Sequence, residues 1–290
     1  MLPELVAVVS AAMYAVSFIV ARRGLRYSTP ATVTTFSMVF QAGIFSAAVA
    51  IRGGIPDFSW YALSLMVAAG SLQPFVRQLT YRGMQTIGAA RSGSLRATHP
   101  FWAGLIAISL LGEELTLPVF LGNVTVVGGI AAISRESARA TGDKADSPGW
   151  YVLVPLAAAV MAGIAFPLRR AALILTPEPV FFTAVTGTVG LALLGITQAV
   201  PGLAQRYVWD RRAFWPFVAA GLFEGVSAGG ILYALNAGEV IVIAPITATL
   251  PMWILLGTVI FLRDMERVTR GTVLGTVLVV MGIVLVSVAR

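Results

Sequence analysis

The chain has 290 residues, 58% hydrophobic and 11% charged, with a net charge of +7. Its mean hydropathy of +0.86 leaves too little polar surface to cover a water-soluble globule and points to a bilayer. With no cysteine and one histidine, His99, it has no disulfide framework, no thiolate nucleophile or metal site, and too little histidine for a metal centre or catalytic triads; the basic balance reads as a topology signal, not as affinity for nucleic acid.

Apolar runs near 2–21, 32–51, 59–81, 86–111, 117–134, 150–173, 179–200, 213–235, 240–262 and 271–288 predict ten spans, since a spanning helix needs roughly 20 apolar residues. Span 1 has no basic residue ahead of its apolar core, and Arg22, Arg23 and Arg26 follow it. That order is the reverse of a signal peptide. Its Ser10, Met13, Tyr14 and Ser17 form a semi-polar face, either a cavity wall or a packing surface. Span 3 carries Gln73, Arg77 and Tyr81 at four-residue intervals, one stripe of a helix. In span 4, Ser92, Arg96 and His99 share a face, with Arg91 and Thr98 beside it. Pro100 has no N–H, so the Arg96 carbonyl loses its helical donor and a break is expected there.

The hydrophilic stretch from Arg135 to Gly149 is the natural linker between a first half, 1–134, and a second, 150–290. Arg169-Arg170 is read as a dibasic pair in the loop after span 6, the counterpart of Arg22-Arg23. Glu224 lies near the middle of span 8, at the position equivalent to Gln73. In span 9, Pro245 and Pro251 free the carbonyls of Ile241 and Thr247. Tyr207, Trp209 and Trp215 beside Arg211 and Arg212 read as an interfacial belt.

The two halves repeat. Arg22-Arg23 matches Arg169-Arg170, Thr29-Pro30 matches Thr176-Pro177 and Gly43 matches Gly190, all 147 residues apart. From span 3 the separation is 151: Ala97-Thr98 falls on Ala248-Thr249, Pro100 on Pro251, Trp102 on Trp253 and Glu113 on Asp264. Gly122 and Gly129 then match Gly275 and Gly282, 153 apart. Five spans per half is an odd number, so the second half enters the membrane upside down. An inverted repeat can rock about a shared central site, and two broken helices in corresponding positions are the sequence pointer to that site.

The late part of each half, from Thr98 and from Thr249, carries a mid-helix proline, an aliphatic run ending in Gly112-Glu113 (Arg263-Asp264 in the second half) and then a helix with spaced glycines. In this the chain resembles the EamA-type members of the drug/metabolite transporter superfamily over nearly its whole length. The resemblance implies an all-α membrane protein of ten helices, a secondary carrier of small metabolites that often exports amino acids or toxic compounds.

Thirteen Lys and Arg residues lie in the loops after spans 1, 3, 5, 7 and 9 and four on the opposite side; the positive-inside rule then puts both termini outside the cell membrane. Ionisable groups inside spans avoid lipid and mark pathways. Glu224 therefore needs a partner, and Arg77 and Arg96 are both candidates. In the functional reading Arg96 holds an anionic group of the substrate, His99 or Glu224 carries a coupling proton, and Trp102 and Trp253 form apolar walls. In the structural reading Arg96 pairs with Glu224, His99 bonds a freed carbonyl and the tryptophans pack. No phosphate loop of the G-x-x-x-x-G-K type is present, so the expected function is a secondary transporter, driven by an ion gradient or by exchange rather than by ATP, with membrane lipids and a small solute as partners and no cofactor or metal. A lipid-flipping carrier is the alternative. An intramembrane enzyme lacks its usual paired carboxylates, because Glu224 has no acidic neighbour in its helix.

Overall fold

The computed structural model describes residues 2–87, 92, 95–140, 149–200, 205–250, 252–253, 256 and 270–288. Among these residues the chain is helical throughout, with ten α-helices: α1 (Leu2–Gly24), α2 (Pro30–Ile51), α3 (Trp60–Ile87), α4 (His99–Leu111), α5 (Leu117–Ala140), α6 (Leu153–Leu175), α7 (Pro179–Ala199), α8 (Arg211–Ala237), α9 (Val240–Thr247) and α10 (Arg270–Val288). Pro251, Arg91 and Asp264 lie outside the described residues.

Five of the helices, α1, α2, α6, α7 and α8, are long and apolar enough to cross a membrane. The 28 residues of α3 reach about 42 Å at 1.5 Å per residue. Gln73, Arg77, Gln78 and Arg82 interrupt its apolar run, and it continues six residues past the expected end of span 3 at Tyr81. Helix α5 continues to Ala140, into the segment expected as linker.

Local chemistry sets the ends. Thr29 caps α2 through the Thr32 N–H, with Pro30 in the first turn, and Asp210 caps α8 through the Arg212 N–H. Gly112, at φ +67°, ends α4 in a left-handed conformation that suits glycine. The next residue, Glu113, turns its carboxylate onto α9: Oε1 and Oε2 accept from the N–H groups of Val240 and Ile241 at 2.8 and 2.9 Å. Two of the N–H groups that α9 cannot satisfy itself are thus met.

Two pairs of sequence-equivalent helices, α5 with α10 and α2 with α7, run antiparallel, as an inverted repeat requires. In α5 and α10 a Cβ on Gly129 would lie 2.6 Å from the Gly275 carbonyl oxygen, and one on Gly282 would lie 2.7 Å from that of Gly122. Equivalent glycines face each other crosswise, and only glycine lets the backbones come this close. In α2 and α7 the same crossing places Gly187 against Ala42 and Gly190 against Met38. The main contacts, α1 with α8, α3 with α6, α2 with α8, α3 with α7, α4 with α6 and α1 with α9, map onto one another when each helix is exchanged for its equivalent.

The expected helix breaks occur at matching positions. Thr98 N–H and Oγ1 both donate to Leu95 O, and Thr249 N–H and Oγ1 both donate to Ile246 O. Phe101 N–H then donates to Thr98 O, as Met252 N–H does to Thr249 O. Such tighter i to i−3 bonds satisfy a backbone that proline has interrupted. All eight residues of α9 are buried, so the interrupted segment sits within protein, where irregular backbone at membrane depth is tolerated. The carbonyl freed by Pro245, that of Ile241, accepts from Asn123 Nδ2 of α5 at 3.3 Å.

Candidate transport site

A cavity of about 100 Å³ lies between the halves, lined by residues of α1, α3, α6, α8 and α9 together with Arg96 and His99. Tyr14, Gln73, Arg77, Arg96, His99 and Glu224 all reach it, with Arg169, Ser227 and Thr247. Arg96, His99 and Glu224 of the functional reading thus converge with Tyr14, Gln73 and Arg77.

The pairing left open in the sequence is resolved: Arg77 Nε stands 2.8 Å from Glu224 Oε1, both buried. Ser37 and Tyr81 (3.1 Å) donate to the other carboxylate oxygen. Arg77 Nη2 and Gln73 Nε2 each donate to Gln41 Oε1 at 2.8 Å, and Gln41 Nε2 donates to Thr183 O and Thr186 Oγ1. Glu224, Arg77 and Gln41 therefore tie α8, α3, α2 and α7 into one network, as a buried ion pair requires if it is to persist. At 4% exposed, Arg77 does not reach for the interface.

His99 joins the two broken helices. Its Nδ1 is 3.3 Å from the Arg96 carbonyl that Pro100 frees, and its Nε2 is 3.3 Å from Thr247 Oγ1. The Thr247 hydroxyl also lies 2.8 Å from Ala244 O. A doubly protonated ring satisfies every partner at once; with a neutral ring donating to Arg96 O, the one hydroxyl proton of Thr247 serves either Ala244 or His99.

Two expectations are corrected, and the open reading of the span 1 face is narrowed. Trp102 and Trp253 are not cavity walls: Trp102 lines a separate apolar groove with Phe101, Phe120 and Leu156, and Trp253 packs against the core with Nε1 donating to Thr249 Oγ1. The apolar walls are Val76, Phe166 and Ile231 with Ala162, Ala165 and Ala228. The face of span 1 is largely packing, since Ser17 Oγ donates to Ala220 O and Ser227 Oγ to Ser10 O, leaving Tyr14 to the cavity. Arg169-Arg170 is no loop pair. Both lie within α6, with Arg169 at 9% exposure on the cavity and Arg170 Nη1 donating to Leu235 O and Asn236 O at the end of α8. Their repeat mates Arg22 and Arg23 are exposed.

The model of the EamA-like transporter family matches residues 1–135 and 149–288. The chain belongs to that family. It is accordingly a multi-pass membrane transporter of the drug/metabolite superfamily, a class that works on small molecules within membrane lipid. No curated protein matches its sequence. A solved crystal structure superimposes over 99% of this chain and 99% of its own with a TM-score of 0.79 at 17% identity, a likeness of fold.

Proposed function

We propose that this EamA-family protein is a secondary active exporter of a small anionic or zwitterionic metabolite across the cell membrane. Its halves, 1–134 and 150–290, rock about the central cavity on the linker 135–149, and both termini lie outside the cell. The observation that carries the reading is a polar cavity whose lining comes from both halves, beside breaks at equivalent positions, just before α4 and at the end of α9. Arg96 favours an anionic group on the solute, with Gln73 and Tyr14 as further polar contacts beside the Arg77–Glu224 pair. His99, bridging the halves from Arg96 to Thr247, is the natural site for a coupling proton, since protonation changes which hydroxyl bond Thr247 keeps.

Reconstituted protein is expected to move amino acids or organic acids between liposome and medium, faster with a pH gradient than without. No flux of any metabolite, together with no ligand-induced thermal shift, contradicts the proposal. A second reading, a lipid-flipping carrier, is favoured by the apolar groove of about 640 Å³ bounded by Trp102, Phe101, Phe120 and Leu156. Protein-dependent scrambling of a fluorescent phospholipid without solute flux would select it.

A further inference from the structure

The charges around the cavity do not balance. Arg77, Arg96 and Arg169 line it against one carboxylate, Glu224, which is taken up by Arg77. Among the described residues, Arg96 Nε and Nη1, Arg169 Nε and Arg77 Nη1 are buried donors without a partner, and Gln73 Oε1 is the unpartnered amide acceptor beside them. Two guanidinium charges thus face one small space with no second carboxylate among the described residues to neutralise them. Burying an unpaired charge is costly, and so is leaving its donors unmet. An occupant with two acceptor groups removes both costs; a neutral zwitterion brings one carboxylate and adds an ammonium to a space already in cationic excess.

Building on the carrier reading, we infer that the cavity binds a compact dianion, a dicarboxylate or a phosphate monoester, held by Arg96 and Arg169 while Arg77 stays with Glu224. Planar guanidinium forks suit both oxyanions, which share the required chemistry. Val76, Phe166 and Ile231 then cover a short carbon skeleton. Arg169 becomes the solute contact that distinguishes this cavity from one selecting amino acids.

Thermal unfolding of the purified full chain tests this with succinate, glycerol 3-phosphate, succinamate (one charge fewer than succinate) and glutamine as probes. Succinate or glycerol 3-phosphate should raise the midpoint by about 2 °C or more at saturation, and should do so at concentrations about tenfold lower than succinamate. Which of the two acts distinguishes the carboxylate from the phosphate source. Arg169→Gln should raise the midpoint of the ligand-free protein, because an unpaired buried charge has gone, and abolish the dianion shift. Equal shifts from succinate and succinamate, a larger shift from glutamine, or no shift from either dianion overturns the inference, and the wild-type comparison decides the matter if the variant does not fold. Flux of glutamine without dianion binding sinks this inference and leaves the carrier reading intact, whereas absence of all solute flux sinks the carrier reading.

Discussion

Arg77 Nε lies 2.8 Å from Glu224 Oε1, joining the middle of α3 to the middle of α8 with both side chains buried. Glu224→Gln leaves the Arg77 guanidinium buried without its counter-charge and should cost about 3–5 kcal/mol of stability. The double variant Arg77→Met with Glu224→Leu removes both charges and should recover most of that loss while remaining inactive in flux. Thermal unfolding of the three proteins checks it. A double variant no more stable than Glu224→Gln would show that Ser37, Tyr81 and Gln41, rather than charge neutralisation, set the energetics here.

The α5–α10 contact depends on its glycines. Gly129→Leu drives a side chain into the Gly275 carbonyl and Val279 and should destabilise by at least about 1–3 kcal/mol. Gly128→Leu, where a Cβ meets nothing within 4 Å, should unfold like the parent. Equal midpoints for the two variants would mean that the crosswise glycine packing is absent.

Glu113, in the turn between α4 and α5, gives a pH dependence. Burial raises its pKa, and the N–H groups of Val240 and Ile241 oppose that shift without cancelling it. A carboxyl whose folded pKa is raised contributes most stability below the unfolded value, near 4.3, and loses that contribution as pH rises through the folded value. The stability of the parent relative to Glu113→Gln should therefore fall as pH rises from about 4. A margin that instead grows with pH would show that the N–H bonds to the ionised carboxylate outweigh its burial.

His99 spans both breaks, so His99→Gln should keep solute binding but remove the response of flux to a pH gradient. Ligand-induced shifts measured beside gradient-driven flux separate the two effects. Undiminished stimulation by the gradient would assign the proton to another group.

Much of this arrangement was readable in the sequence because it follows from short-range rules. Helical spacing put Gln73, Arg77 and Tyr81 on one stripe and Arg96 with His99 on another, and proline chemistry located the carbonyl that His99 meets. The crosswise glycines of α5 and α10 were visible as matched pairs. What periodicity does not report is which helix a face meets. Trp102 and Trp253 are equivalent in the repeat, yet one lines an apolar groove and the other packs into the core. Arg169 was hidden by its resemblance to Arg22: the two align in sequence, but α6 continues past Arg169 to Leu175, whereas α1 ends at Gly24. Gln41 had a weak signal, four residues after Ser37 on the same helix face, and its role appears once α2, α3 and α7 are brought together.

Alternating access is tested most directly by a single thiol in the cavity wall. The chain has no cysteine, so Ala162→Cys, on the α6 side of the cavity, introduces one reactive group. Labelling with a membrane-impermeant maleimide, in right-side-out and in inside-out vesicles, should reach this thiol from both faces, and bound solute should slow the reaction from each. Labelling from one face under every condition, or from neither, would contradict a shared site opened in turn to the two sides.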